Sequence, residues 1–235
     1  MDQTERFSLI SIIIPVLNES NSINSLISHI RSLDSRKKPE IIVVDGDRDA
    51  ETLKVISADE VIKIKSLPGR GKQMNEGAKA AKGDIVLFLH SDTELPPGGL
   101  MLIESAMDNE KYVGGAFDLH IKSTKSVFRL IECVASIRSR ITRIPFGDQA
   151  IFMRKEYFDR IGGFQEILLM EDIELMQKTK KHGDKIFIIK ERVLTSSRRW
   201  DREGILRCTF RNWLLQILFF TGVSPRKLVK FYPQG

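Results

Sequence analysis

Four short apolar runs in the first 90 residues, separated by helical patterns and each followed by polar or glycine-containing residues, leave few folds open to this chain. Leu9-Ile10-Ser11-Ile12-Ile13-Ile14-Pro15 is a continuous, mostly β-branched stretch stopped by proline. A strand with one face in water alternates apolar and polar residues, whereas a strand covered on both faces reads as an unbroken run. Asn18-Glu19-Ser20 supplies a turn, and Ile23, Leu26, Ile27 and Ile30 then recur at helical spacing. Ile41-Ile42-Val43-Val44 is the second run; it ends in Asp45-Gly46-Asp47-Arg48-Asp49, with a helix expected to about Ser57. Val61-Ile62-Lys63-Ile64 reads as a third strand. Gly69-Arg70-Gly71-Lys72 is a glycine-rich basic loop ahead of an alanine-rich helix over residues 73–82. Ile85-Val86-Leu87-Phe88-Leu89 is the fourth strand, ending in His90-Ser91-Asp92. This β-α-β-α-β-α-β order predicts an α/β fold with a mainly parallel central sheet and right-handed crossovers. Open sheets of this type bind ligands beyond the carboxyl ends of their strands. Asn18, Glu19, Asp45, Asp47, Arg70, Lys72 and Asp92 are therefore expected to face one crevice.

The second half is less regular. Strands are expected at 114–121, 149–153 and 185–189, and helices at 127–142, 155–161, 171–182 and 204–221. There is no repeat, low-complexity segment or linker. A chain of 235 residues suits one α/β domain with a sizeable core. Residues 1–203 are read as its body, and 204–235 as an amphipathic helix with a basic tail belonging to the same domain. Cys133 and Cys208 are the two cysteines, in no metal-like spacing, which argues against a disulfide framework or a zinc site and suits a reducing compartment. The stretch around Met1 to Pro15 lacks the features of a signal peptide, so the expected location is cytoplasmic, at the inner face of a membrane if the tail docks there. The net charge of +6 is uneven: residues 186–235 hold ten Lys/Arg against three Asp/Glu, leaving the other 185 residues near −1. That distribution, with no nucleic-acid motif, does not indicate a general nucleic-acid surface; the basic segment reads either as facing an anionic partner or as a solvated basic face.

Asp92 follows an apolar strand, where a carboxylate can bind a hard divalent ion through oxygen; a turn or cap role is the competing reading. Asp45 is placed to accept hydrogen bonds from a nucleobase or ribose, with Asp49 preferred as a helix cap. Arg70 and Lys72, at a helix start, suit phosphate oxygens. Glu171-Asp172 at the next helix start either holds a general base or stabilises the helix dipole. Ser196-Ser197-Arg198-Arg199-Trp200 reads either as a clamp on a diphosphate or sugar, or as a basic loop with an anchoring indole. His29 and His182 read as structural, His90 and His120 as the histidines better placed for a ligand.

Taken in order, these segments resemble glycosyltransferase family 2, whose members have the GT-A fold. The match covers nearly the whole chain. Residues 11–19 look like that family's opening strand and turn, 42–46 like its base-binding strand end, and 69–77 with 83–89 like its central signature. His90-Ser91-Asp92 stands in the place of its Asp-x-Asp metal motif. Gly147-Asp148-Gln149 and Gly162-Gly163-Phe164 resemble its acceptor side, and Glu171-Asp172 its catalytic acidic pair. The resemblance implies a metal-dependent, inverting transfer of a sugar from a UDP- or GDP-sugar to a hydroxyl. Pro15, Asn18, Glu19, Asp45, Arg70, Lys72, Ser91, Arg199 and Trp200 would bind the nucleotide-sugar. Asp92 and His90 would hold Mn²⁺ or Mg²⁺, Asp172 would act as base beside Glu171, and Gly147, Asp148 and Gln149 would line the acceptor side. The histidine at 90 resembles a bacterial subgroup named for genomic neighbourhood to radical-SAM and selenium-related domains. A non-catalytic nucleotide-sugar-binding module and a nucleotidyltransferase are the competing functions.

In the C-terminal segment, Leu206, Phe210, Trp213, Ile217 and Phe220 lie on one helical face. About 18 residues would reach roughly 27 Å, and the interrupting arginines oppose a membrane span. Such a face either lies on an anionic membrane, suiting a lipid-linked acceptor, or packs against protein.

Overall fold

The computed structural model describes residues 8–232. The readings placed on 1–7 and on 233–235 lie outside the described residues.

Strand β1 (Ile10–Val16) leads through helix α1 (Ile23–Arg31) to β2 (Glu40–Asp45). From there the chain passes through α2 (Glu51–Lys54), β3 (Ile62–Lys65) and α3 (Arg70–Ala80) to β4 (Ile85–Phe88). The short β5 (Thr93–Glu94) and α4 (Gly99–Met107) precede β6 (Tyr112–Lys122) and α5 (Ser126–Thr142). Then come β7 (Phe152–Arg154), α6 (Lys155–Arg160), α7 (Glu171–Lys181), β8 (Lys185–Ser196), α8 (Arg198–Glu203), α9 (Ile205–Phe220) and α10 (Pro225–Leu228). The eight strands form one sheet in the order β3-β2-β1-β4-β7-β6-β8-β5. β3, β2, β1 and β4 run parallel, β6 pairs parallel with β8, and β7 and β5 pair antiparallel with their neighbours. The architecture is thus α/β with a mainly parallel sheet flanked by helices.

β1 sits between β2 and β4, with Ile13 beside Ile42 on one side and Phe88 on the other. All seven of its residues are buried. Ile12 and Ile14 point into a core shared with α1, α4 and α5. Ile13 points into a second core beneath α3, α6 and α7. Both faces are covered, which is why the run is continuous rather than alternating. The chain leaves β1 toward β2 on one side and reaches β4 on the other, so a crevice opens beyond its carboxyl end.

Several boundaries differ from expectation. The helix after Asp45 is one turn long and ends at Lys54. Gln149 closes a 3-10 turn (Gly147–Gln149) instead of starting β7. β8 continues to Ser196, bulging against β6, and the Arg-Trp segment is helical. Helix α9 buries Cys208 and Leu215, and packs Leu218 and Phe219 on the second core. The apolar face named from the sequence is exposed instead, with Leu206 at 80% and Phe210 at 69%. Among the described residues, no helix is long and apolar enough to cross a membrane.

The approach of α3 to the sheet yields a stability test. A Cβ at Gly77 would lie 2.4 Å from Ile13 Cγ2 and 3.1 Å from Val44 Cγ2. Gly→Ala in a helix ordinarily gains about 1 kcal/mol, but overpacking a closed core costs about 1–3 kcal/mol. Ile13 is fully buried in the central strand and cannot retreat. Gly77→Ala is expected to lower stability by up to about 2 kcal/mol in urea denaturation; a gain would show that α3 moves freely over β1.

Candidate active site

Backbone hydrogen bonds at the ends of β1 and β2 shape the floor of the crevice. Asn18 adopts a left-handed conformation, φ 58°, as the chain turns out of β1. The Glu19 N–H donates to Thr52 Oγ1 at 3.1 Å, and the Glu19 carboxylate accepts from Ser22 Oγ at 2.7 Å. Gln73, buried on α3, donates from Nε2 to the carbonyls of Val16 and Val44, each at 2.8 Å. It staples the two strand ends together, a role nothing in its sequence context announced. Asp45 corrects the expectation placed on it. Its side chain is fully buried; Oδ1 accepts from the Asp47 N–H at 2.9 Å and Oδ2 from the Thr52 N–H at 3.1 Å. It organises the loop and the start of α2, and does not face the crevice. Asp49 does not cap that helix; its N–H donates to Asp47 Oδ2 at 3.0 Å.

The starts of α3 and α7 form one wall. Arg70 Nε lies 3.5 Å from Glu171 Oε1. A Cβ at Gly71 would stand 2.6 Å from the Gln165 carbonyl, so the missing side chain lets α3 reach the loop before α7. Burial pushes the Glu171 carboxyl upward, opposed by Arg70, while Glu171 first, then Tyr232 and Asp172, hold Arg70 more firmly cationic. Lys72 is a second correction. Two residues along a helix point to nearly opposite sides, and its amine lies 3.9 Å from Glu166, away from the crevice.

Asp172 is fixed at both oxygens. Oδ2 accepts from the Gly147 N–H at 2.6 Å and Oδ1 from the Ile173 N–H at 2.8 Å. A Cβ at Gly147 would meet His90 Nε2 at 2.8 Å and Asp172 Oδ2 at 3.4 Å. The glycine thus lets a backbone donor, an imidazole and a carboxylate meet. Burial, reinforced by Arg70, lowers His90 to about 4, leaving a neutral imidazole at neutral pH. Asp148 lines the same wall; burial raises it to about 6, with Arg138 opposing and Asp172 and Asp92 adding to the rise. Arg138 lies 3.2 Å over the Phe146 ring and donates to the Ile144 carbonyl and to Gln149. Gln149 is the third correction. It is fully buried and donates to the Phe117 carbonyl at 2.8 Å, so it braces the turn and does not meet an acceptor.

Arg198 joins the two sides of the crevice. Its guanidinium lies 3.1 Å from Glu19 and 3.9 Å from Asp92. Arg199 lines the cleft and donates to the Tyr232 hydroxyl. Trp200 reaches the cleft too, but is anchored by an edge contact with Phe128 and by donation from Nε1 to Thr209 at 3.2 Å. Asn212 and Gln216 of α9 and Tyr232 complete the wall. The structure therefore gathers Arg70, His90, Asp92, Gly147, Asp148, Glu171, Asp172, Arg199 and Trp200 around one cleft. Pro15 is buried within β1, while Asn18, Glu19 and Ser91 lie outside the lining. His120, 3.3 Å from Glu132, belongs to a separate ion-pair cluster.

A neutral imidazole and a carboxylate are suitable donors for Mn²⁺, and Mg²⁺ commonly uses one or two carboxylates plus substrate phosphate. Among the described residues there is no group of three or more metal-binding side chains. The donor set fits an ion whose remaining positions are filled by ligand oxygens and water, rather than a closed protein cage.

Residues 11–165 match the family model described as Glycosyl transferase family 2. A probable glycosyltransferase of Sulfolobus acidocaldarius is 32% identical over 204 residues, covering 76% of this chain and 43% of the relative. An undecaprenyl-phosphate 4-deoxy-4-formamido-L-arabinose transferase of Aeromonas hydrophila is 30% identical, covering 48% of this chain and 38% of that protein. The chain spans less than half the length of these curated relatives. Among solved structures, the mannosyltransferase PcManGT from Pyrobaculum calidifontis, in complex with GDP-Man and Mn²⁺, superposes with TM-score 0.64 at 19% identity. That match covers 80% of this chain and 56% of the other. S. aureus TarS superposes with TM-score 0.63 at 18% identity, covering 95% of this chain and 69% of the other. These likenesses establish the GT-A architecture.

The raised Asp148 carboxyl carries a signed prediction. The folded state holds its proton to about pH 6 against an ordinary value of 3.8. Its contribution to stability is full below the unfolded value and is lost as pH rises through about 6. Asp148→Asn cannot lose that proton. In chelator, it is expected to gain up to about 3 kcal/mol over wild type at pH 8 and much less at pH 4. Equal differences at both pH values would remove the assigned shift.

Proposed function

The chain belongs to glycosyltransferase family 2, and from that premise we propose that it transfers a sugar from a UDP- or GDP-sugar to an acceptor hydroxyl by a single inverting displacement. The observation that carries this reading is Asp172. Both its oxygens are oriented by backbone N–H groups, and it shares a cleft with Asp92, Arg70 and Arg199. Each oxygen accepts one bond from a backbone N–H and keeps a further lone pair, so Asp172, in the cleft lining, is the group to accept the acceptor's proton. The acceptor oxygen then bonds to the anomeric carbon as the bond from that carbon to the diphosphate oxygen breaks. Arg70 and Arg199 face the negative charge that gathers on the leaving diphosphate. Glu171 is spent on Arg70, which favours Asp172 over its neighbour as the base.

His90 and Asp92 would hold a divalent ion, Mn²⁺ or Mg²⁺. When bound, such an ion supplies Lewis-acid stabilisation of the departing diphosphate. GDP-Man with Mn²⁺ in the PcManGT complex, and UDP in a TarS complex, support a nucleotide-sugar donor. Asn18 and Glu19 beyond β1 are the remaining candidates for the nucleotide side, and Gly147 with Asp148 for the acceptor side. The lipid-phosphate relative from A. hydrophila supports a lipid-linked acceptor handled at the cytoplasmic face of a membrane. His90 in place of the first motif carboxylate supports the subgroup neighbouring radical-SAM and selenium-related domains.

Two variants test the assignments. A ligand that binds the folded state raises the melting temperature, so a screen of UDP- and GDP-sugars with Mn²⁺ or Mg²⁺ identifies the donor. Asp92→Ala is expected to abolish the metal-dependent part of that shift; an unchanged dependence would remove Asp92 as ligand. With the donor known, Asp172→Asn is expected to keep donor affinity and lose about 10²–10⁴-fold in kcat. Transfer at the wild-type rate would assign the base elsewhere.

A further inference from the structure

Helix α9 has two unlike faces. One is built into the protein through Cys208 and Leu215, and supplies Asn212 and Gln216 to the cleft. The other carries Leu206, Phe210, Trp213, Ile217 and Phe220, exposed by 46–80%. Large apolar side chains arranged contiguously in the open mark an interaction surface. Phe231, 68% exposed, extends the apolar character beyond the helix.

Charge identifies what this surface meets. From Ile205 to Tyr232 there are five Lys/Arg and no Asp/Glu. Arg211 is paired with Glu203, whereas Arg207, Arg226, Lys227 and Lys230 are exposed and make no ion pair among the described residues. A two-fold dimer would set this patch against itself, placing like charges face to face. The outward stripe of α5 (Leu130, Val134, Ile137 and Ile141) has a single exposed cation without an ion pair among the described residues, Arg143 at its end, against four around α9. Arg129, Arg138 and Arg140 are tied to Glu132, Gln149 and Asp118. At about 1.5 Å per residue, the 16 residues of α9 reach roughly 24 Å, short of a bilayer core. An apolar face with free cations beside it suits a helix lying in the headgroup region of an anionic bilayer.

We propose that the outward face of α9, with Arg226, Lys227, Lys230 and Phe231, is a docking surface for an anionic lipid membrane. Because Asn212 and Gln216 occupy the inward face of the same helix, docking brings the cleft beside the bilayer. The surface stands independently of the transfer chemistry, since vesicle binding is measured without donor or acceptor.

The test is co-sedimentation of the full chain with vesicles of phosphatidylcholine, alone or with roughly 30% phosphatidylglycerol. The wild type is expected to pellet with the anionic vesicles at least about fivefold more than with the neutral ones. Trp213 fluorescence should shift to the blue, and Trp213→Phe should remove that shift. The triple variant Leu206→Ser, Phe210→Ser, Ile217→Ser and the triple variant Arg226→Gln, Lys227→Gln, Lys230→Gln should each lose about fivefold or more of the binding. The second variant alters only exposed charges and carries the test if the first fails to fold. Wild-type protein left in the supernatant with anionic vesicles would overturn the proposal, as would a folded variant that pellets like the wild type. So would a wild-type dimer in sedimentation velocity that the serine variant converts to monomer, which would assign the face to a second copy.

Discussion

Burial of β1 between two parallel neighbours is the constraint on which the rest depends. A strand apolar on both faces must be covered on both, and here helices from α1 to α7 divide between the two sides. Because β2 and β4 flank it, the chain diverges at its carboxyl end, and backbone polar groups there must find partners. Gln73 and Asp45 meet that need, one bridging the Val16 and Val44 carbonyls and the other accepting the N–H groups of Asp47 and Thr52. Asp45, which looks like a ligand contact from the sequence, and Gln73, which carries no such signal, are thus both consumed in shaping the crevice floor. The groups left facing the cleft come from the next tier: the end of β4, the start of α7 and the turn at Gly147.

Electrostatics in that tier are arranged in opposition. Glu171 and Asp172 are adjacent in sequence, yet one is turned to Arg70 and the other to the Gly147 amide. The division follows from helix geometry, since neighbouring residues diverge by about 100°. Asp92 is met by Arg198 from the start of α8, which also reaches Glu19. A cation therefore already sits between the carboxylates beyond β1 and β4. Arg198 thereby ties the start of α8 to the ends of both strands. The neutral His90 and the half-protonated Asp148 near pH 6 keep total charge in the cleft lower than the residue types suggest.

The parallel half of the fold was legible because its strands are continuous apolar runs, a pattern with few alternatives. The helical segment Arg198–Glu203 was not, since Arg-Arg-Trp-Asp-Arg-Glu has no apolar period; Trp200 alone docks it on Phe128. Within the site, sequence order located the acidic pair, His90, Asp92 and Arg70. It could not say which of Asp45, Asp47 and Asp49 turns inward, because all three occupy one loop and only the backbone path decides. The opposite headings of Arg70 and Lys72 were readable in principle from helical periodicity. Gln149 and Asp148 divide similarly around a tight turn. Tyr232 had no signal at all: it lies in a tail without pattern, and reaches Arg199 and Arg211 only because α9 and α10 fold back.

That return path ties the C-terminal segment to the chemistry. Leu215, Leu218, Phe219 and Leu228 hold it on the second core, beside Phe164, Leu169 and Met170, which lead into α7. The inward side of α9 and the residues leading to Glu171 and Asp172 are therefore parts of one packed core. The same segment closes the cleft with Tyr232, whose hydroxyl accepts from Arg199. An aromatic held by two guanidinium groups is a neutral placeholder: it satisfies their donors without adding the charge that a bound diphosphate brings. Displacing it costs those contacts and gains a charge-assisted set in return. Tyr232 and the exposed apolar stripe thus belong to one segment, which Leu215 and Leu228 tie to the second core.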